Sequence, residues 1–406
     1  MTNIDRFVNP FRPGAGHPPP HLAGREGETE EFFRLLRQPT ILENMVLTGL
    51  RGTGKTVLLE SFKPLAIKEN WLWAGTDLSE SASISEQNFA ERILVDLSMV
   101  TNNFVVNEAS TFSPGFVPES TTSKLTLNYN LLRGIYNDCP GLVSDRLKFV
   151  LEYAWKVLSY EGVRGLVFAY DEAQNLSDQA ENDQYPLSTM LDVFQSLQRK
   201  GFPFLLVLTG LPTLFPKLVK SRTYSERMFH IVEIGRLNRE ASRAAILVPI
   251  EKHDCPVKLA PEGVEIIIDI SGGYPYFIQF ICKEVYDAFL QGDLSSVPVD
   301  EIMRKLDADF FMGRWARATD RQRDLLSLIA QLENSDSEFT VREIVDLSAT
   351  WSEKPFSSSG VNQMLNALSD SGLVFKNRHG KYSFAVPLMK GFILREIGGA
   401  FDFDDV

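Results

Sequence analysis

The stretch TGLRGTGKT, Thr48 to Thr56, gathers three glycines and closes on a lysine and a threonine. Glycine inside an element costs backbone entropy, so a cluster of it marks a place where bare backbone is required. Gly49, Gly54, Lys55 and Thr56 satisfy G-x-x-x-x-G-K-[ST]. That pattern predicts a loop whose amide N–H groups turn inward around a phosphate chain. Leu50, Arg51, Gly52 and Thr53 complete the loop, and Val57 belongs to the helix N-terminus that faces the anion. Lys55 then reaches the β- and γ-phosphates, and the Thr56 hydroxyl holds Mg²⁺.

A second candidate lies 116 residues beyond Lys55. In GLVFAYDEAQNL (165–176) an apolar run from Leu166 to Tyr170 delivers Asp171 and Glu172. Two carboxylates at the end of a buried strand suit phosphoryl transfer: Asp171 holds Mg²⁺ through water, and Glu172 orients the attacking water. A further apolar run, FPFLLVLTG (202–210), ends on Thr209. That hydroxyl either touches the γ-phosphate or the catalytic water, or is an ordinary strand-end threonine. In LVKSRTYSERMFHIVEIGRL (218–237), Arg222 and Arg227 offer two readings. Either one is an arginine finger for a neighbouring subunit's phosphates, or both lie on a solvated, ion-paired helix face.

These residues need a scaffold. ENMVLTG before the loop reads as a short apolar strand, and KTVLLESF after it as a helix. NWLWAGTDLS (70–79) reads as another strand, and SDRLKFVLEYAWKVLSYEG (144–162) as a packed helix. Open α/β sheets collect ligands at the carboxyl ends of their strands, where the loop, Asp171 and Thr209 would all lie. The expected fold class is therefore α/β, with a parallel-sheet phosphate-loop core. With 406 residues, two or three domains are expected. Residues 1–39 read as an extended segment, PPP included, followed by a helix opened by acidic residues. Residues 40–237 read as the core, with a polar insertion at about 101–130 that is a long loop or hairpin. Residues 238–312 are helical by pattern, and SGGYPYF (271–277) marks a corner where glycine ends one helix and Pro275 starts the next.

Residues 313–397 hold three helical patterns and a strand pair, FKNRHGKYSFAVP, turning at His379-Gly380. Three helices and a wing predict a winged helix-turn-helix. Residues 398–406 form an acidic tail. The third helix, Ser357 to Gly372, contains no Lys or Arg, and Asn362, Gln363 and Asn366 are its candidates for base contacts. Lys376, Arg378, His379 and Lys381 of the wing are candidates for phosphates. Residues 319–396 carry nine Lys or Arg against ten Asp or Glu, so the segment is near neutral. The whole chain has a net charge of −12, which argues against a broad nucleic-acid surface. Three widely spaced cysteines and no metal spacing suit a reducing, cytoplasmic compartment. No apolar run approaches the ~20 residues of a membrane span, and the first residues lack a signal peptide's apolar core.

LAGRE (22–26), GLRGTGKT, LVFAYDEAQ and GGYP (272–275), followed by a winged helix, resemble the AAA+/STAND branch of P-loop ATPases. The resemblance lies near the initiator-type and archaeal ATPase families and covers nearly the whole chain. GLRGTGKT is similar to the Walker A motif and LVFAYDEAQ to Walker B. The resemblance implies a helical lid, ATP or ADP with Mg²⁺, Arg25 in a box lying against the adenine, and Pro275 contacting the base from the lid. Two features depart from initiator relatives: Thr209-Gly210 stands where an asparagine is usual, and GGYPYFIQF has no lid arginine. The implied function is a slowly hydrolysing ATP switch. The alternative is a DNA-binding initiator or regulator acting through the winged helix. A non-catalytic adaptor holding ADP is disfavoured by the intact Asp171-Glu172 pair. Self-association and a protein partner also fit the resemblance; a membrane does not. Lys55→Ala should abolish nucleotide binding or turnover, as read by equilibrium titration and steady-state hydrolysis.

Overall fold

The computed structural model describes residues 8–14, 16–111, 121–255, 258–291, 297–351, 354–378 and 380–398. His379 of the expected wing turn, the middle of the polar insertion and the acidic tail from 399 lie outside the described residues. The chain divides into two compact units. One comprises Gly27–Thr48 and Leu58–Glu233; the other comprises Met1–Glu26, Gly49–Val57 and Ile234–Val406.

The first unit is built on strands β1 (Asn44–Thr48), β2 (Trp71–Ala74), β3 (Val105–Thr111), β4 (Thr121–Thr126), β5 (Gly165–Tyr170), β6 (Phe204–Gly210) and β7 (Phe229–Glu233). Five of them form one sheet in the order β2-β5-β6-β1-β7, and every neighbouring pair is parallel. β1, β5 and β6 are buried at every position, which explains their unbroken apolar sequences: a central parallel strand is covered on both faces. β7 was not anticipated. FHIVE is five residues long and half exposed at the sheet's edge, so no continuous apolar run announces it. β3 and β4 pair antiparallel, which resolves the polar insertion as a hairpin.

Register decides which side chains meet. Tyr170 of β5 pairs with Leu208 of β6, and Leu47 of β1 pairs with Thr209. The next residue after Tyr170 is Asp171, so it comes level with Thr209 at the carboxyl end of the sheet. The core beneath is aromatic: the Phe168 ring lies edge-on to Phe194 at 5.0 Å and to Phe204 at 5.9 Å. Helices Glu86–Thr101, Val143–Leu158 and Pro186–Arg199 bury their apolar faces in the same cluster.

The second unit carries helices Arg239–Lys252, Pro261–Ser271, Pro275–Leu290 and Val299–Leu306. Gly272, at φ 57°, ends the second of these, and Pro275 occupies the first turn of the third, as the sequence implied. A π-helical turn, Asp307–Phe311, leads into Met312–Trp315. Helix Asp320–Ala330 follows, opened by a capping box between Thr319 and Gln322. Then come β8 (Phe339–Thr340), helices Val341–Trp351 and Ser358–Asp370, β9 (Val374–Arg378), β10 (Lys381–Phe384) and helix Met389–Glu396. The three strands form an antiparallel sheet in the order β8-β10-β9. One apolar cluster runs from Phe11 through Phe277 and Phe311 to Phe392. Among the described residues no helix is long and apolar enough to cross a membrane.

Phe168→Ala removes a fully buried ring from the middle of the sheet. It should lower stability by about 3–5 kcal/mol, measured by guanidinium denaturation.

Candidate functional site

The glycine-rich loop begins where β1 ends. Gly49 has no side chain because the carbonyl oxygen of Ile234 lies 2.3 Å from where its Cβ would stand. Gly52 and Gly54 hold φ of +79° and +88°, the left-handed region in which a side chain is strained. The Lys55 ammonium donates to the carbonyls of Gly49 at 2.9 Å and Leu50 at 2.8 Å. Thr53 Oγ1 donates to the Leu50 carbonyl at 2.9 Å and is buried. Helix Lys55–Lys68 starts at the lysine, so its first free amides and dipole end lie at the loop. Thr56 and Val57 are in its first turn, and a Cβ on Gly16 of the N-terminal segment would lie 3.5 Å from Thr56 Cγ2. Bare amides, a lysine and a helix N-terminus are the donor set that suits a phosphate chain.

Three contacts brace the loop from within its own unit. Arg25 is 6% exposed, and its Nη2 donates to the Thr53 carbonyl at 3.1 Å and the Gly235 carbonyl at 2.7 Å. The Tyr276 amide donates to the Gly52 carbonyl at 3.2 Å. A Cβ on Gly54 would stand 4.0 Å from Pro275 Cβ and Cγ. Arg51 points elsewhere: its Nη2 is 3.4 Å from the Cβ position of Gly372, just past helix Ser358–Asp370.

In the sheet unit, Asp171 is 4% exposed. Its Oδ1 accepts from the Glu172 amide at 2.7 Å and from the Thr209 hydroxyl. Thr209 is fully buried and spends its proton on Asp171. Glu172 sits at φ 49°, a left-handed conformation rare outside glycine. Strain of this kind persists only where the surroundings enforce it. Here the Glu172 carbonyl accepts from Asn175 N at 2.9 Å, and its Oε2 accepts from the Gln174 side chain. Gln174 Oε1 in turn accepts from the Leu211 amide at 3.1 Å, past the tip of β6.

Asp77, which sequence reasoning passed over, forms a parallel bridge with Asp171. Burial pushes its carboxyl above the usual range, and the charges of Asp171 and Glu172 add to the shift. Its only sequence signal was its place after the strand WLWA. Gln174 was visible in DEAQ, but nothing in the spacing gave it a role. Among the described residues no three His, Cys, Asp or Glu side chains converge as a metal-binding group. Mg²⁺ usually takes only one or two protein oxygens, with water and substrate phosphates filling the rest.

The two arginine candidates separate. Arg222 is bidentate to Asp192, at 3.0 and 2.8 Å, and the Tyr224 hydroxyl donates to the same carboxylate at 2.6 Å. Arg227 is exposed and makes no ion pair among the described residues. In the C-terminal segment Asn362, Gln363 and Asn366 are exposed, although Asn362 also donates to the Ser358 carbonyl at 2.8 Å. Lys376 is exposed, and Lys381 lies 3.9 Å from Glu338.

Residues 308–393 match a family model described as a domain of unknown function (DUF8462). No curated protein matches the chain. Among solved structures, the chain is similar to a Walker-type ATPase of Pyrococcus abyssi, at 15% identity and a TM-score of 0.58, covering 93% of this chain and 98% of that one. It is also similar to the ORC2 protein of Aeropyrum pernix in ADPNP–ADP complexes, at 15% identity and a TM-score of 0.55, covering 97% and 100%. At these identities the likeness is one of fold. The five-stranded parallel sheet is that of a P-loop NTPase core.

Thr209→Val leaves the buried Asp171 oxygen without its hydroxyl donor and should lower stability by about 1–3 kcal/mol. Thr209→Ser should stay close to wild type; chemical denaturation of both variants checks this.

Proposed function

We propose that this chain is an ATP-binding switch of the AAA+/STAND type that hydrolyses ATP slowly. The observation that carries the reading is the hydrogen bond from the Tyr276 amide to the Gly52 carbonyl. It ties the phosphate loop to the first turn of helix Pro275–Leu290, so a change in the loop is felt at once by the helical segment. Helices between Arg239 and Leu306 then act as the lid. The helices and the β8-β10-β9 sheet after Thr319 act as a winged helix.

In this reading the amides of Gly49–Val57 and the Lys55 ammonium bind the phosphates. Lys55 gives up its loop carbonyls for the β- and γ-oxygens. Thr56 and Asp171 are the residues that would hold Mg²⁺, which would supply charge neutralisation at the phosphates. Glu172 accepts a hydrogen bond from the attacking water and orients it. Gln174 holds the Glu172 carboxylate, and Thr209 holds Asp171. Arg25 braces the loop backbone, and Pro275 lies on the base side. Arg227, exposed and making no ion pair among the described residues, is the finger candidate that a neighbouring subunit would use. ATP and ADP bias the lid only through contacts that differ between the two states, and the loop's carbonyl-to-lid bond is such a contact.

The DNA-binding reading rests on the exposure of Asn362, Gln363 and Asn366 along one helix. The near-neutral charge of residues 319–396 weighs against it. Steady-state ATP turnover of wild type and Glu172→Gln, with and without duplex DNA at low salt, separates the readings. Wild type should turn over slowly and indifferently to DNA, while Glu172→Gln binds ATP and does not hydrolyse it. Turnover that rises with DNA would move the reading to an initiator or regulator. Equal turnover in both proteins would overturn the assignment of Glu172.

A further inference from the structure

We propose that helix Val143–Leu158 of the sheet unit pairs antiparallel with the same helix of a second copy of this chain. The inference is independent of the nucleotide reading, since it uses none of the residues placed at the phosphates.

This helix carries two apolar faces, and the core needs only one. Leu147, Val150, Leu151, Ala154 and Leu158 are buried in the sheet unit's apolar cluster. At about 100° of turn per residue, Phe149, Tyr153 and Lys156 fall within about 60° of one another on the opposite side. Phe149 is 51% exposed. The stripe continues past both helix ends, at Leu142, 73% exposed, and at Tyr160, 90% exposed in the turn Ser159–Glu161. From Leu142 to Tyr160 it is about 27 Å long. The neighbouring helix Tyr129–Asp138 turns only polar groups outward along its length: Asn130, Arg133, Asn137 and Asp138 are its exposed residues. Contiguous exposed apolar surface marks an interaction site.

The order of side chains along the stripe selects the partner. Set antiparallel against a copy of itself and centred on Leu151, the helix places Phe149 opposite the second copy's Tyr153. Leu142 then falls opposite the second copy's Tyr160, so apolar meets apolar at both levels. Asp145 and Lys156 lie on one side of Phe149, and antiparallel helices bring like sides together. Asp145 comes within one residue of the second copy's Lys156, and the two-fold axis makes that charge pair twice. Lys156 is exposed and makes no ion pair among the described residues. Asp145 is exposed too, and lies a loose 3.8 Å from Lys148. Glu152, beside the axis, is neutralised by Lys200 at 2.5 Å. A parallel pair would set Lys156 against Lys156 and Asp145 against Asp145. Charge therefore favours a self-complementary, antiparallel partner, which is a second copy. This closed two-fold contact differs from the head-to-tail contact that an arginine finger requires.

The test is sedimentation velocity of the full-length protein between about 1 and 100 μM. Wild type should pass from one chain to two over that range. Phe149→Glu should weaken association at least about tenfold, with circular dichroism matching wild type because the ring is exposed. Asp145→Asn keeps an acceptor for the Leu142 amide. It and Lys156→Ala should each weaken the dimer by about two- to tenfold, and the double variant should weaken it no more than either alone. On a Cys139→Ser background, Leu142→Cys and Tyr160→Cys chains should form an intermolecular disulfide when mixed, and neither should do so alone. A wild type that stays a single chain at every concentration would overturn the proposal and leave the stripe to a different protein. So would a dimer that survives Phe149→Glu, or a crosslink formed by either cysteine chain alone.

Discussion

The carbonyl oxygen of Ile234 occupies the space beside Gly49 that any side chain would need, 2.3 Å from the Cβ position. That close approach fixes the loop's first residue as glycine and fixes the loop's path against the chain that leaves β7. Everything the loop does afterwards follows from having no side chains in the way. Its carbonyls take the Lys55 ammonium, the Thr53 hydroxyl, the Arg25 guanidinium and the Tyr276 amide. A loop with this many backbone partners is a junction. An anion that competes for Lys55 changes the balance at Gly49 and Leu50, three and two residues from the carbonyl that Tyr276 holds.

The sheet half follows a different logic. Its central strands β1, β5 and β6 are buried on both faces, and the price is that any polar group at their ends must find a partner. Asp171 and Thr209 solve this for one another, because the β5-β6 register brings them level. Gln174 does the same for Glu172, spanning from its carboxylate to the Leu211 amide. The left-handed backbone at Glu172 is held by this small network rather than by its own preference.

Much of the architecture was legible in the sequence. Long apolar runs ending in Asp171 and Thr209 announce buried parallel strands, and the Gly-Gly-Tyr-Pro corner announces a helix stop and start, because each device acts within a few residues. β7 was not legible, since a half-exposed edge strand of five residues carries no unbroken apolar signal. β8, two residues long, lay hidden inside a helical pattern. The π-turn at Asp307–Phe311 reads as plain helix, because one extra residue per turn leaves composition unchanged.

By itself the sequence determined which residues have chemistry to offer: Lys55 and Thr56 after bare backbone, and Asp171 and Glu172 after a buried strand. Motif spacing encodes these because phosphate contacts are made by consecutive backbone groups. The tertiary structure decided which groups hold others in place. Arg25 is a brace on loop carbonyls, Thr209 is a partner of Asp171, and Arg222 is committed to Asp192. It also tied Tyr276 to the Gly52 carbonyl, 224 residues earlier in the chain. Such pairings depend on strand register and on the packing of distant helices, and local sequence preference carries no information about either.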